Sequence, residues 1–171
     1  ALAHDCLRDP QHISLIKKQS QPASIRHCFA YLHPRDKHRW LVDWLKNEDV
    51  SQAIIFCNSR SQVDRLYRDM KKEVKDIDFI HAGLDQRVRT SIFRNFRNRR
   101  IRFLLASDVA GRGLDFSHVS HVINWDFPGS GERYTHRTGR CGRMGRKGTA
   151  LTFIARHDLN ELTNLFKKKS I

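Results

Sequence analysis

Two spacings of apolar residues alternate along this chain. Short runs rich in Ile, Leu, Val and Phe occupy 25–32, 53–57, 78–81, 103–106, 119–125 and 150–154. Runs of that length, bounded by polar turns, read as strands. Between them the apolar residues fall three and four apart, the period of a helix with one buried face. That spacing predicts helices over 35–46 (Trp40, Leu41, Trp44 and Leu45 on one face), 61–74 (Val63, Leu66, Tyr67, Met70, Val74), 86–97 (Val88, Ile92, Phe93, Phe96), 132–140 and 159–166. Apolar strands alternating with helices predict an α/β domain of three layers, a mostly parallel sheet covered by helices on both faces. Residues 1–9 read as the end of a helix stopped by Pro10, and 11–22 as a polar, lysine-containing linker. The chain shows no internal repeat and no low-complexity tract.

A length of 171 residues suits one domain or slightly more. A domain of this size buries about 70% of its unfolded surface, enough for a core that needs neither metal nor disulfide. No apolar run approaches the roughly 20 residues of a membrane helix, and the first residues carry no signal-peptide pattern, so no membrane partner is expected. Cys6, Cys28, Cys57 and Cys141 are scattered, with no Cys-x-x-Cys spacing. They outline neither a disulfide framework nor a zinc site, which points to an intracellular compartment, the cytoplasm first and the nucleus second. His118 and His121 have a spacing that suits a metal, but no cysteine or acidic cluster joins them, and no metal site is expected.

Charge changes the picture more. The formal net charge is +14, a surplus that predicts a polyanionic partner, usually nucleic acid. The arginines are clustered: Arg87, Arg89, Arg94, Arg97, Arg99, Arg100 and Arg102 fall in one short stretch. The run Lys167-Lys168-Lys169 reads as a solvated helix end.

Two segments carry candidate chemistry. In the first, Tyr134 to Arg143, three arginines stand at steps of three (Arg137, Arg140, Arg143), separated by glycines and preceded by His136. Guanidinium groups are always charged and fork onto phosphate oxygens, so such a row suits a site where negative charge accumulates. In the second, Ser107 to Asp115, a strand opens into a polar loop with a hydroxyl, two carboxylates, Arg112, Gly111 and Gly113. Open α/β sheets hold their ligands at that end of their strands. Asp108, early in the loop, reads equally as a turn or capping residue. The 171 residues contain no GxxxxGK followed by Ser or Thr, the string whose amides and lysine cradle nucleotide phosphates. They also contain no run of hydrophobics ending in paired acids. By itself the chain is therefore not expected to bind and split ATP.

Together these segments resemble motifs V and VI of the DEAD-box RNA helicases, whose patterns are approximately T-D-x-x-A/S-R-G-x-D and H-R-x-G-R-x-x-R. Ile54 to Arg60 resembles motif IV, His81-Ala82-Gly83 with Gln86 to Arg89 resembles the HxG and QxxR elements, and Val122 to Pro128 resembles the segment joining motifs V and VI. Their order and spacing match the family over nearly the whole chain. The resemblance implies a C-terminal RecA-like lobe at 23–171, with 1–22 as the end of the first lobe and the interlobe linker; Pro10-Gln11-His12-Ile13 matches the turn that closes that first lobe. It implies ATP and Mg2+ as cofactors, held mainly by the first lobe, with RNA, that first lobe and regulatory proteins as partners.

By residue, the resemblance implies that Arg140 and Arg143 are arginine fingers and that Asp115 accepts a hydrogen bond from the ribose. Gly113 belongs to the loop facing the nucleotide and the RNA. Arg137 holds the closed interlobe contact, Arg112 pairs with acids of the first lobe, and His136 links motif VI to that lobe, a packing histidine being its other reading. Asn58, Ser59, Arg60, Gly83, Gln86, Arg89 and Ser107 contact the RNA backbone, with Arg60 and Gln86 equally readable as helix-surface residues. Ser107 and Gly111 replace the usual threonine and alanine or serine, Thr138 an apolar residue, and Cys141 a threonine or serine; none removes a charged group. DEAH-type, RecQ-like and chromatin-remodelling motors usually open motif VI with glutamine, where His136 stands here. A non-catalytic binding or scaffold module would have no reason to keep both finger arginines.

Overall fold

The computed structural model describes residues 25–108, 116, 119–142 and 147–169, with side chains to 164. The linker expected at 1–22 lies outside the described residues. The strands are β1 (Ile25–Tyr31), β2 (Ala53–Cys57), β3 (Ile77–Ile80), β4 (Phe103–Ser107), β5 (His121–Asn124) and β6 (Gly148–Ile154). They form one sheet in the order β1-β6-β5-β2-β4-β3, and every pairing in it is parallel. The helices are α1 (Lys37–Asn47), α2 (Arg60–Met70), α3 (Gln86–Arg97), α4 (Gly131–Thr138) and α5 (Leu159–Lys169), the last preceded by a 3-10 turn at Arg156–Asp158. The expected α/β class holds, with the sheet parallel throughout.

Strand order explains which face each helix covers. Parallel crossovers are right-handed. The steps β1 to β2 and β2 to β3 move one way across the sheet, while β3 to β4 and β5 to β6 move the other way. α1 and α2 must therefore lie on one face, with α3 and α4 on the opposite face. The cores follow this division. Leu41 and Leu45 of α1 and Val63, Leu66 and Met70 of α2 pack over Ile55, Leu105 and Ile123. Ile92 and Phe96 of α3 pack over Ile54, Phe56, Leu104 and Val122, while Tyr134 of α4 and Leu162 of α5 close over Phe29 and Ile154. β2 and β4 are buried at every residue, as expected of apolar runs covered on both sides. The edge strand β3 is only partly covered.

Several boundaries differ from the sequence expectation. α2 stops at Met70, whose carbonyl accepts from the amides of both Glu73 and Val74, so a tight turn rather than another helical turn carries Val74 into the core. Val88 was expected to face inward and is 46% exposed in the first turn of α3; that helix's stripe is covered only from Ile92 onward. α4 ends at Thr138, so Arg140 lies in the turn past the helix rather than on it. β6 starts earlier than expected, at Gly148, where a Cβ would sit 2.5 Å from the amide nitrogen of Gly142 and 2.9 Å from the sulfur of Cys141. Only glycine lets this strand begin against the end of the arginine-rich segment.

Candidate functional site

The sheet register assembles the site. Cys57 pairs with Ser107 and Phe56 with Asn124, so Asn58, Asp108 and Asp126 follow side by side at the carboxyl edge of β2, β4 and β5. α4 delivers Arg137 onto this edge. Its Nε donates to Asp108 Oδ1 at 2.5 Å, and its Nη2 donates to Asp108 Oδ2 at 2.8 Å and to Asn58 Oδ1 at 2.7 Å. Its Nη1 donates to the carbonyl of Asp126 at 3.1 Å and reaches Asn124 Oδ1 at 3.4 Å. The guanidinium has five N–H groups, and all are used. The side chain is 2% exposed and lies over the Phe56 ring, 5.3 Å from its centroid.

Asp108 is the anionic half of this hub. Burial would raise its pKa, but hydrogen bonds and charge from Arg137, and then from Arg133, outweigh burial and hold the carboxyl below the usual carboxylate range. Arg133, one helical turn before Arg137, also donates to Asp108 Oδ2. Asp126 accepts from the Asn58 amide at 3.1 Å. Beside it Lys37 donates to the Trp125 carbonyl at 2.5 Å, with its ammonium 4.4 Å from the Trp125 ring centroid. Burial lowers the Lys37 pKa, and Asp126 opposes that shift.

The expected strand-contact residues form a second group. Ser59 caps α2: its hydroxyl accepts from the Gln62 amide, and Gln62 Oε1 accepts from the Ser59 amide, a reciprocal capping box. Arg60 extends toward Gly83, its Nη1 being 3.6 Å from where a Gly83 Cβ would stand. The Gly83 amide donates to His81 Nδ1 at 3.0 Å, which leaves Nε2–H of His81 to donate to Asp64 Oδ1 at 3.0 Å. A Gly83 Cβ would lie 3.1 Å from the His81 ring, so any side chain there would press on the imidazole. On α3, Arg89 Nη1 donates to Gln86 Oε1 at 3.0 Å, while Arg89 Nε is buried without a partner. At the end of β4, Ser107 is 6% exposed and its hydroxyl is likewise buried without a partner.

His136 is exposed and Arg140 half-buried, with Arg140 Nε donating to the His136 carbonyl at 3.2 Å. Arg112, Gly113, Asp115 and Arg143 lie outside the described residues. Among the described residues, no group of three or more His, Cys, Asp or Glu side chains comes together to hold a metal ion. Burial pushes the thiols of Cys57 and Cys141 upward, the latter to about 11, so neither is a nucleophile at neutral pH.

This geometry has counterparts. Residues 36–145 match the helicase conserved C-terminal domain. Over 160 residues, 93% of this chain, it is 36% identical to eukaryotic initiation factor 4A of Caenorhabditis elegans. Over 96% of the chain it is 33% identical to the ATP-dependent RNA helicase DbpA of Bacillus subtilis. The chain spans 40% and 34% of those two relatives' length. In three dimensions it is similar to the E. coli DEAD-box protein SrmB, solved bound to the regulator RraA. That likeness has a TM-score of 0.78 at 30% identity and covers 88% of this chain and 87% of that one. The chain belongs to the DEAD-box helicases, as their C-terminal RecA-like lobe.

Within this helicase lobe two of the expected site residues are bound into the lobe's own hydrogen-bond network. Every N–H of Arg137 is engaged by Asp108, Asn58, Asn124 and Asp126 of its own lobe. Asn58 is exposed, with its Oδ1 accepting from Arg137 and its Nδ2 donating to the Phe127 carbonyl at 2.9 Å. Asp108, one of whose two readings was a turn or cap, is instead the charge partner of two arginines. Two members of the hub, and the Asp64 partner of His81, escaped notice in the sequence, although signals existed. Asn124 is a fully buried polar residue at the end of β5, and its Nδ2 donates to Thr152 Oγ1 at 2.9 Å within the sheet. Arg133 and Arg137 are like charges at i,i+4, a spacing that costs stability unless an anion sits between them. Asp64 shares a helix with Arg60 and faces His81 only because α2 packs beside β3.

Proposed function

We propose that this lobe is the second half of an ATP-driven RNA helicase, holding one RNA strand by its sugar-phosphate backbone and supplying arginine fingers to a nucleotide bound by the first lobe. The observation that carries the reading is a pair of buried, unpartnered polar groups at the carboxyl edge, the Ser107 hydroxyl and Arg89 Nε. A buried donor without a partner is costly, and a local opening that let a phosphate oxygen reach either group would satisfy it. Arg60, Gly83 and Gln86 line the same edge, so the strand path runs over α2 and α3 with contacts that set register without reading bases.

Arg140 and Arg143 serve the second task. Phosphoryl transfer spreads negative charge over the moving group, and an arginine supplied across a cleft is worth ~10³–10⁵ in rate. Arg140 stands in the turn past α4 rather than inside the hub, as that task requires. The first lobe would hold the phosphates of ATP and Mg2+, with Asp115 and Gly113 of this lobe facing the nucleotide and Arg112 and His136 meeting the first lobe. In this reading the chain alone turns over no ATP, and the protein works inside the cell, in the cytoplasm or nucleus. The test is RNA binding to the 171-residue chain, followed by fluorescence anisotropy against salt. Single-stranded RNA should bind with log affinity falling by ~0.7 per phosphate contact against log salt, and Arg89→Ala should weaken it. Salt-independent binding, or full binding by Arg89→Ala, would overturn the strand assignment.

A further inference from the structure

We infer a second phosphate track on this lobe, along the outer face of α3 and the turn that follows it, that takes the RNA backbone flanking the strand held at the carboxyl edge. The inference rests on the reading above and extends the path of the same RNA.

Between Gln86 and Ser107 the sequence has no aspartate or glutamate. Gln86, Arg87, Thr90, Ser91 and Arg94 line a groove of about 290 Å³ on α3, where two hydroxyls and two guanidinium groups suit phosphate oxygens. Gln86 belongs to both the groove and the strand-contact edge, so the two surfaces are continuous. Beyond the groove, Arg97, Arg99 and Arg100 continue the positive surface in exposed positions. Among the described residues, Arg87, Arg94, Arg97, Arg99 and Arg100 take part in no ion pair. On α1, Arg39 has Asp43 four residues on to balance it, whereas α3 carries no acidic residue at all. Unbalanced charge of one sign along a helix is what a polyanion recognises.

A separate observation concerns Arg99. Its φ is +59°, in the left-handed region that glycine normally fills just past a helix end. The chain keeps a charged side chain where the backbone favours its absence, and such outliers gather where a side chain has work to do. α3 is about 18 Å long, long enough to meet several successive phosphates of one strand.

The experiment compares two RNAs, a short single strand of about six nucleotides that covers only the carboxyl edge and one of about twelve that also covers the track. Binding of both to the 171-residue chain is measured against salt for three proteins: wild type, Arg89→Ala, and the triple variant Arg94→Ala, Arg99→Gly, Arg100→Ala. The triple variant should bind the short RNA within twofold of wild type. It should bind the long RNA about tenfold more weakly, with the salt slope reduced by about 2, or 0.7 for each lost contact. Its melting temperature should not fall, since Arg99→Gly relieves a strained backbone. Unchanged affinity and slope for the long RNA overturn the track, as does equal weakening on both RNAs, which would place these arginines in the primary site. An undiminished short-RNA affinity in Arg89→Ala instead overturns the carboxyl-edge reading, whatever the triple variant does. No measurable binding of either RNA by wild type overturns both.

Discussion

Arg137 and Arg140 stand three residues apart in one segment and carry the same charge, yet they end in different surroundings. Arg137 is 2% exposed, and each of its N–H groups meets an acceptor from another part of the lobe. Arg140 is half-buried in the turn after Gly139, bonded to the carbonyl of its neighbour His136. At 3.6 residues per turn, an unbroken helix would place positions three apart on nearly the same face. α4 ends at Thr138, so Arg140 leaves the stripe that α4 turns toward the sheet. One arginine is thereby spent on joining the strand ends, and the other lies nearer the surface. An arginine row in a sequence thus says that anions are near, but not whether they belong to the protein or to a ligand.

The contrast can be broken most directly in the full-length helicase. Arg140→Ala should lower ATP turnover by ~10³–10⁵ while the denaturation midpoint of this lobe stays unchanged; near-wild-type turnover in a steady-state phosphate-release assay would remove the finger assignment. Arg137→Ala should do the reverse first, destabilising the fold by about 3 kcal/mol, because a partly buried carboxylate loses its partner. Urea denaturation measures this, and Arg137→Ala combined with Asp108→Ala should recover part of the loss. If the double variant were no more stable than the single one, the Asp108 pairing would not be what Arg137 is buried for.

Titration sharpens the contrast at smaller amplitude. The folded pKa of Asp108 lies below its unfolded value, so its contribution is fully present above the usual carboxylate pKa of about 3.9 and disappears as pH falls through the lower folded value. Within that window Arg140→Ala should track wild type, whereas Arg137→Ala should lose part of the acid slope. A separate effect belongs to His121, at the other end of the sheet, whose pKa burial first and Arg26 second depress to about 4. The unfolded chain takes up a proton near pH 6.5 that the folded chain refuses, so stability should fall as pH drops from about 6.5 toward 4. His121→Asn should flatten that stretch of a stability-against-pH curve; an unchanged curve would mean the imidazole is not kept neutral by the fold.

Much of the architecture was legible beforehand. The run at 53–57 became β2 end to end, because an apolar segment too short for a helix has only the sheet interior to enter. The helix stripes were read correctly where something covers them, as at Ile92 and Phe96. Val88 fits the same period and is exposed, since periodicity gives the direction of a face and not the length over which a neighbour covers it. In the site, the segments were legible and the division of labour was not. Ser59 and Asn58 carry the polar atoms expected of a strand contact, but the first spends its hydroxyl on a helix cap and the second both ends of its carboxamide on Arg137 and Phe127.

The linear chain alone settled the order of strands and helices, the two-sided burial of the sheet and the places where arginines, glycines and hydroxyls would gather. These follow from local spacing and from the cost of leaving apolar faces in water. The folded molecule alone decided which guanidinium is enclosed. Asn58 is 79 residues from Arg137 and Asp108 is 29, and only parallel pairing of β2, β4 and β5 brings them within 3 Å of one side chain. A charge is buried where its counter-charges converge, and that convergence is a property of strand register rather than of any segment read by itself.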